Sequence, residues 1–281
     1  MASAKVRVEP FPLSSSSPPD FASTDVLEAN PTGRLRPVVH VLTWDEEAIG
    51  LPALMAQLPS DQPVYVVTPP VADDPHDYPR TVGEWVAHVQ SRLSALDLGD
   101  DVVYLGWSFG GVVALEVAQA HHERSSAGGG QIDVILIDSR NPQLSNDRPK
   151  AVSKTHAAAR VLSEALEKRS GTRWRYVRSR IKGTWDRKRN QGVSPDDIPP
   201  LKRAIWVSWF KYVPRRYNVS GGILWCDDSR NRLDDVALGW SRWWDGPFWT
   251  ERVGHEHFAV YEQPAVTNIA AAIERATARS D

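Results

Sequence analysis

The stretch Gly106-Trp107-Ser108-Phe109-Gly110-Gly111 constrains this chain more than any other. It follows the apolar run Val102-Val103-Tyr104-Leu105 and precedes the small, apolar run Val112-Val113-Ala114-Leu115-Glu116-Val117-Ala118. The first run reads as a buried strand and the second as a close-packed helix. Between them the chain must turn sharply, with a serine at the apex. Side chains at the flanking glycines would collide with the neighbouring strand and helix. A glycine-rich surface turn does not account for Gly110-Gly111, because glycine weakens a helix where it starts. The turn lifts the Ser108 hydroxyl clear of the strands. It also aims the first N–H groups of the helix at any negative charge that forms there.

The text around this turn alternates between two periods. Val38-Val39-His40-Val41-Leu42, Pro63 to Thr68, Asp101 to Leu105, Gln131 to Asp138, Gly221 to Cys226 and Phe248 to Val253 read as strands. Ile49 to Leu58, Thr81 to Leu96, Gly110 to about His121 and Pro264 to Thr277 read as helices. In the second of these, Val82, Trp85, Val86, Val89 and Leu93 share one face. Strands alternating with helices imply an α/β fold, a mostly parallel sheet with helices on both faces. Ligands of such sheets bind at the carboxyl ends of the strands, where Ser108 and Asp138 both fall.

Two segments break the alternation. Residues 1–35, with Ser14 to Ser17, Pro18, Pro19 and Pro31, read as a flexible leader or linker, with a short strand near Lys5 to Val8 as an option. The main domain is expected over 36–281. Within it, residues 141 to about 215 are too long for a plain loop. Ala157 to Leu166 and Leu201 to Val213 look helical, so this insertion reads as a helical lid. Lys150 to Asn190 holds 13 Lys and Arg against 3 acidic residues. That is either a solvated helical face or a docking surface for an acidic partner.

Elsewhere composition mainly excludes. A net charge of −2 gives no global argument for nucleic acid or membrane. No apolar run approaches the roughly 20 residues that span a bilayer. Met1 to Pro12 has no apolar signal core, so the expected compartment is cytoplasmic. The one cysteine, Cys226, sits among Ile223, Leu224 and Trp225 and reads as core rather than nucleophile. Of 12 tryptophans, five fall between Trp225 and Trp249, filling a core or lining a channel.

A serine hydroxyl needs a base within hydrogen-bond reach, and the base needs an orienting group. In this kind of sheet the expected order is serine, acid, histidine. Of eight histidines only His255 and His257 follow the last strand, in Val253-Gly254-His255-Glu256-His257-Phe258, where a loop can swing over the turn. His121 and His122 end the helix that leaves the turn, and His88 reads as helix surface or core. A zinc site at His255-x-His257 has no clear further ligand set nearby. The acid is Asp138, ending one strand, or Asp227 or Asp228, ending another. Spacing alone decides neither choice.

The run Asp101 to Glu116, with its Gly-Trp-Ser-Phe-Gly-Gly core, resembles the α/β-hydrolase thioesterase domains of polyketide and non-ribosomal peptide synthases. Pro63-Val64-Tyr65 with Pro69-Pro70, Ile135 to Ser139, Gly239-Trp240, Val253-Gly254 and His257-Phe258 extend the likeness from about residue 36 to the end. The resemblance implies Ser108 as nucleophile, Asp138 as acid and His257 as base. It also implies an oxyanion hole formed by the Phe109 N–H and a second donor after the first core strand. The family usually has a glycine-containing loop there. This chain reads Leu42-Thr43-Trp44-Asp45-Glu46-Glu47, so the second donor falls to Thr43 or Trp44. Three acids beside it would oppose an oxyanion if they faced it.

The function so implied is release of an acyl, polyketide or peptidyl chain from the phosphopantetheine arm of an acyl or peptidyl carrier protein, by hydrolysis or macrocyclisation, with no cofactor. The basic segment 150–190 would dock the carrier. The rivals are a serine esterase or lipase on a diffusible ester, and a hydrolase-fold module that binds without turnover.

Overall fold

The structure is a computed structural model and describes residues 7–10, 24–125, 130–143 and 198–278. The strands are β1 (Val8–Pro10), β2 (Val26–Ala29), β3 (Val38–Val41), β4 (Val64–Val67), β5 (Val102–Trp107), β6 (Ile132–Ile137), β7 (Ser220–Cys226) and β8 (Phe248–Gly254). The helices are α1 (Leu51–Met55), α2 (Val82–Leu93), α3 (Phe109–Ser125), α4 (Pro200–Lys211), α5 (Asp227–Leu233) and α6 (Ala265–Thr277). The strands form one sheet in the order β1-β2-β4-β3-β5-β6-β7-β8. Every pairing is parallel except β2 with β4.

The two faces of the sheet follow from alternation along each strand. Val102 and Tyr104 of β5 and Val134 and Leu136 of β6 join the core under α2, α3 and α4. Val103 and Leu105 of β5 and Ile135 and Ile137 of β6 join the opposite core, under α1 and α6. Both faces are covered, so the central strands are mostly apolar, with His40 of β3 and Asp133 of β6 as buried polar exceptions. Helix α2 starts at a capping box. The Thr81 hydroxyl accepts from the Glu84 N–H, while the Glu84 side chain accepts from the Thr81 N–H. Its Val82, Trp85, Val89 and Leu93 are buried, and Val86 packs beside them.

The leader expected over residues 1–35 carries two strands of the sheet. Val26, Leu27 and Ala29 are buried, β2 pairs with β4, and β1 pairs with β2. The reason is tertiary: a four-residue strand carries almost no periodicity of its own, and its pairing with β4 supplies the burial. Residues 1–6 and 11–23 of that leader lie outside the described residues, as do Ala157 to Leu166 and the basic stretch from Lys150 to Asn190. The end of the expected lid insertion is described, and its helix, expected at Leu201 to Val213, runs over Pro200–Lys211. Trp85 of α2 donates its indole N–H to Ser208 of α4 at 3.1 Å, which ties α4 to the sheet-covering layer.

Trp240 and Trp244 are buried in the core, and Trp225, Trp243 and Trp249 pack against it. Two of these five tryptophans therefore belong to the core and three flank it, and none lines the cavity beside Ser108. The cavity beside Ser108 is walled by other tryptophans: Trp44, Trp107, Trp206 and Trp209.

Candidate active site

Ser108 sits between β5 and α3 with φ of 53°, in the left-handed region that costs a non-glycine residue energy. Neighbouring glycines make the turn possible. A Cβ on Gly106 would lie 2.3 Å from the Gly110 carbonyl oxygen, and one on Gly110 would lie 2.6 Å from that of Val41. The Ser108 N–H is fixed by the Ile137 carbonyl at 2.9 Å. Phe109 is the first residue of α3, so its N–H has no intrahelical acceptor and stands at the positive end of the helix.

Asp138 leaves the end of β6, one strand over, and also has a positive φ, 45°. It is 0% exposed. The Cys226 N–H donates to Oδ1 at 2.9 Å and the Ser229 hydroxyl to Oδ2 at 2.6 Å. His257 comes from the loop after β8, three strands from β5, in a short turn of 3₁₀ helix. Its Nδ1 lies 2.5 Å from Asp138 Oδ2 and its Nε2 lies 3.1 Å from Ser108 Oγ. A buried carboxylate can only accept, so Nδ1 carries the proton and Nε2 offers its lone pair to the hydroxyl. Trp107 lies against the imidazole (centroids 4.9 Å apart, planes 35° apart), and Phe258 meets it edge-on at 4.9 Å. The two rings flank the imidazole that joins Asp138 to Ser108.

A second candidate pair, His255 with Asp227, lies elsewhere. His255 is turned outward, its side chain 76% exposed, and its Nδ1 lies 2.5 Å from Asp227 Oδ2. Arg252 donates to both Asp227 oxygens, at 2.8 and 2.7 Å, and holds that carboxyl below its usual range, with His255 adding to the effect. Two Asp–His pairs thus stand at this end of the sheet, and the Asp138–His257 pair is the one that reaches Ser108. Asp228 borders the same cavity as Ser108. His88 and His121 are half-buried and bond the Thr68 carbonyl and the Tyr104 hydroxyl, away from Ser108.

The N–H groups expected to give the second oxyanion donor already have an acceptor. The N–H groups of Thr43 and Trp44 both donate to Glu47 Oε1, at 3.2 and 3.1 Å. Trp44 precedes the 3₁₀ turn Asp45–Gly50, and Glu47 reaches back to it as an N3 glutamate does in a capping box. That spacing was the available sequence signal. The side chains of Asp45 and Glu46 are not among those described. Ser229, in the first turn of α5, was also missed, and nothing in the sequence pairs it with a residue 91 positions away.

The site opens onto a cavity of about 570 Å³. Its wall includes the aromatic rings of Trp44, Phe109, Trp206, Trp209, Phe210 and Phe258, with Arg140, Asn141 and Asp228 as polar points. Trp209 packs on Phe109 and Phe109 on Trp85, so the wall is continuous with the core.

Residues 40–271 match the alpha/beta hydrolase family. The chain belongs to that family. This α/β-hydrolase is similar to several thioesterase domains of solved structure. One is the NocB thioesterase domain in covalent complex with a fluorophosphonate nocardicin G analogue (TM-score 0.59, 21% identity, 89% of this chain and 98% of that one). Another is the Vlm2 thioesterase domain bound with a dodecadepsipeptide (TM-score 0.53, 15% identity, 87% and 94%). The chain is also similar to part of the four-domain non-ribosomal peptide synthetase AB3403 (TM-score 0.60, 15% identity, 91% of this chain and 20% of that one). Among curated proteins it is 28% identical, over 215 residues, to orsellinic acid synthase of Beauveria bassiana (strain ARSEF 2860). The match covers 68% of this chain and only 10% of that relative's length. No helix among the described residues is long and apolar enough to cross a membrane.

Cys226 is buried at the end of β7, and desolvation, with Asp138 adding to it, pushes its thiol far above the ordinary range. At about pH 8.5, where an exposed thiol is half ionised, iodoacetamide is expected to leave the folded hydrolase unmodified and to alkylate it once denaturant is added. Alkylation of the native protein at the denatured rate would contradict this burial.

Proposed function

We propose that this hydrolase is a thioesterase that releases an acyl chain from a carrier-protein phosphopantetheine thioester through an acyl-serine. The observation that carries the reading is the unbroken relay from Asp138 through His257 to Ser108 at the edge of an aromatic cavity. His257 takes the Ser108 proton as the oxygen attacks the thioester carbonyl, and Asp138 steadies the imidazolium. The Phe109 N–H meets the oxygen that becomes negative. As the tetrahedral intermediate collapses, His257 gives its proton to the departing thiol. Water or an internal hydroxyl or amine of the chain then attacks the acyl-serine with His257 again as base; the acyl–Oγ bond breaks, His257 returns the proton to Ser108, and a free acid or a ring is released.

The likeness to synthase thioesterase domains supports a carrier protein as the donor. The cavity wall supports an acyl chain that is apolar or flat, because aromatic side chains stack on such groups. A fluorophosphonate probe is expected to add once, at Ser108, as read by intact-protein and peptide mass spectrometry. Acyl–phosphopantetheine mimics should then leave an acyl adduct at the same residue. A folded sample that takes no label at Ser108 refutes the reading. Labelling with turnover of small esters but none of acyl thioesters would reassign it to the esterase class.

A further inference from the structure

The turn that leaves β3 holds a carboxylate that engages the backbone donors beside the site. Val41 of β3 is in register with Gly106 of β5, so the residues following β3 stand beside Ser108 and Phe109. Thr43 faces the start of α3, where a Cβ on Gly110 would lie 3.5 Å from its hydroxyl. Trp44 lines the Ser108 cavity. An oxyanion formed at Ser108 is stabilised by fixed N–H groups around it. Phe109 supplies one from the α3 side. On the β3 side the N–H groups are those of Thr43 and Trp44, and both point at Glu47 Oε1, which also accepts the Thr43 hydroxyl at 3.3 Å. Glu47 is 1% exposed, so solvent does not loosen these bonds. Bonds from N–H groups to a carboxylate are roughly twice as strong as neutral ones.

We propose that Glu47 is a positioning residue that withholds the Thr43 and Trp44 N–H groups from the oxyanion, leaving the Phe109 N–H to hold it and keeping acyl transfer at Ser108 slow. This inference rests on the acyl-serine reading above. The carboxylate acts by turning two backbone donors away from the reacting carbonyl.

The test compares Glu47→Gln with the parent. Glutamine keeps the shape and a weaker, neutral acceptor. The readouts are the rate at which a fluorophosphonate labels Ser108 and the kcat and KM for a small acyl thioester. Labelling of Glu47→Gln is expected to be about tenfold faster or more, since one such donor is worth on the order of a hundredfold. The gain in turnover should fall on kcat, with KM little changed. A glutamate that only braced the turn would give the opposite result, slower labelling together with a lower melting temperature. Equal or slower labelling of folded Glu47→Gln overturns the proposal. If that variant does not fold, a crystal structure of the parent phosphonylated at Ser108 decides. Trp44 N–H is expected to remain on Glu47, with the phosphonyl oxygen on the Phe109 N–H. A phosphonyl oxygen accepting from Thr43 or Trp44 overturns the proposal. A parent that takes no label at Ser108 removes the acyl-serine reading and this inference together. A labelled parent with no gain in the variant removes only the role of Glu47.

Discussion

Asp138→Asn is expected to lower kcat for acyl release by about 10⁴-fold, because an amide cannot hold His257 in the tautomer that leaves Nε2 free to take a proton. The same change at Asp227 should leave kcat within about twofold, since that carboxylate serves a partly exposed pair with Arg252 and His255, worth at most about 1 kcal/mol. The contrast is informative because the two residues look alike in the chain: each ends a strand, and each has a histidine at 2.5 Å. Asp138 receives the Cys226 N–H and the Ser229 hydroxyl besides His257. Asparagine turns one of those acceptors into a donor facing a donor, at a cost of about 1–3 kcal/mol in stability. Turnover must therefore be read well below the melting temperature of the variant, with circular dichroism as the control. Full activity in Asp138→Asn, or its loss in Asp227→Asn, would transfer the role to the second pair.

Arg36→Met is expected to destabilise the fold by about 3–5 kcal/mol while leaving the activity of each folded molecule unchanged. Arg36 is buried beside the start of β3, at the end of the sheet away from Ser108. Its guanidinium lies 2.7 Å from Asp133 Oδ2 and donates to the Gln131 carbonyl at 2.6 Å and to the carbonyl of Ala276. Asp101 Oδ1 lies 2.6 Å from its Nε, an ion pair without hydrogen-bond geometry. One side chain thus joins β5, β6 and the end of α6. Methionine fills similar space but leaves the nearly buried Asp133 carboxylate with the Gln131 side-chain amide as its remaining described partner. Urea unfolding followed by tryptophan fluorescence measures the loss. A change below about 1 kcal/mol would mean that the cluster roughly balances its own desolvation.

Much of this protein was legible before its coordinates. Val102 to Ala118 specifies strand, turn and helix by itself, because apolar periodicity and glycine sterics act over neighbouring residues. β3 to β8 and α2, α3, α4 and α6 lie close to where their patterns point. β2 was not legible, since four residues with little alternation become a strand only when β4 offers its edge. The tryptophans were legible as aromatic mass but not as wall or core: the five clustered between 225 and 249 pack inward, while Trp206 and Trp209, on α4, face the cavity.

The candidate site divides in the same way. Local stereochemistry in the sequence determined that a serine would be raised on a strained turn at the carboxyl end of a parallel sheet, with acids and histidines following in the right order. Only the tertiary structure decided which of them meet. Register between β6 and β7, and the path of the loop after β8, bring Asp138 and His257 to Ser108 and send Asp227 and His255 outward. Glu47, four residues beyond Thr43, was in plain view, yet its effect depends on which way two N–H groups point. Turns and periods are fixed by neighbours along the chain, whereas a hydrogen bond across 149 residues depends on where the rest of the fold leaves its two ends.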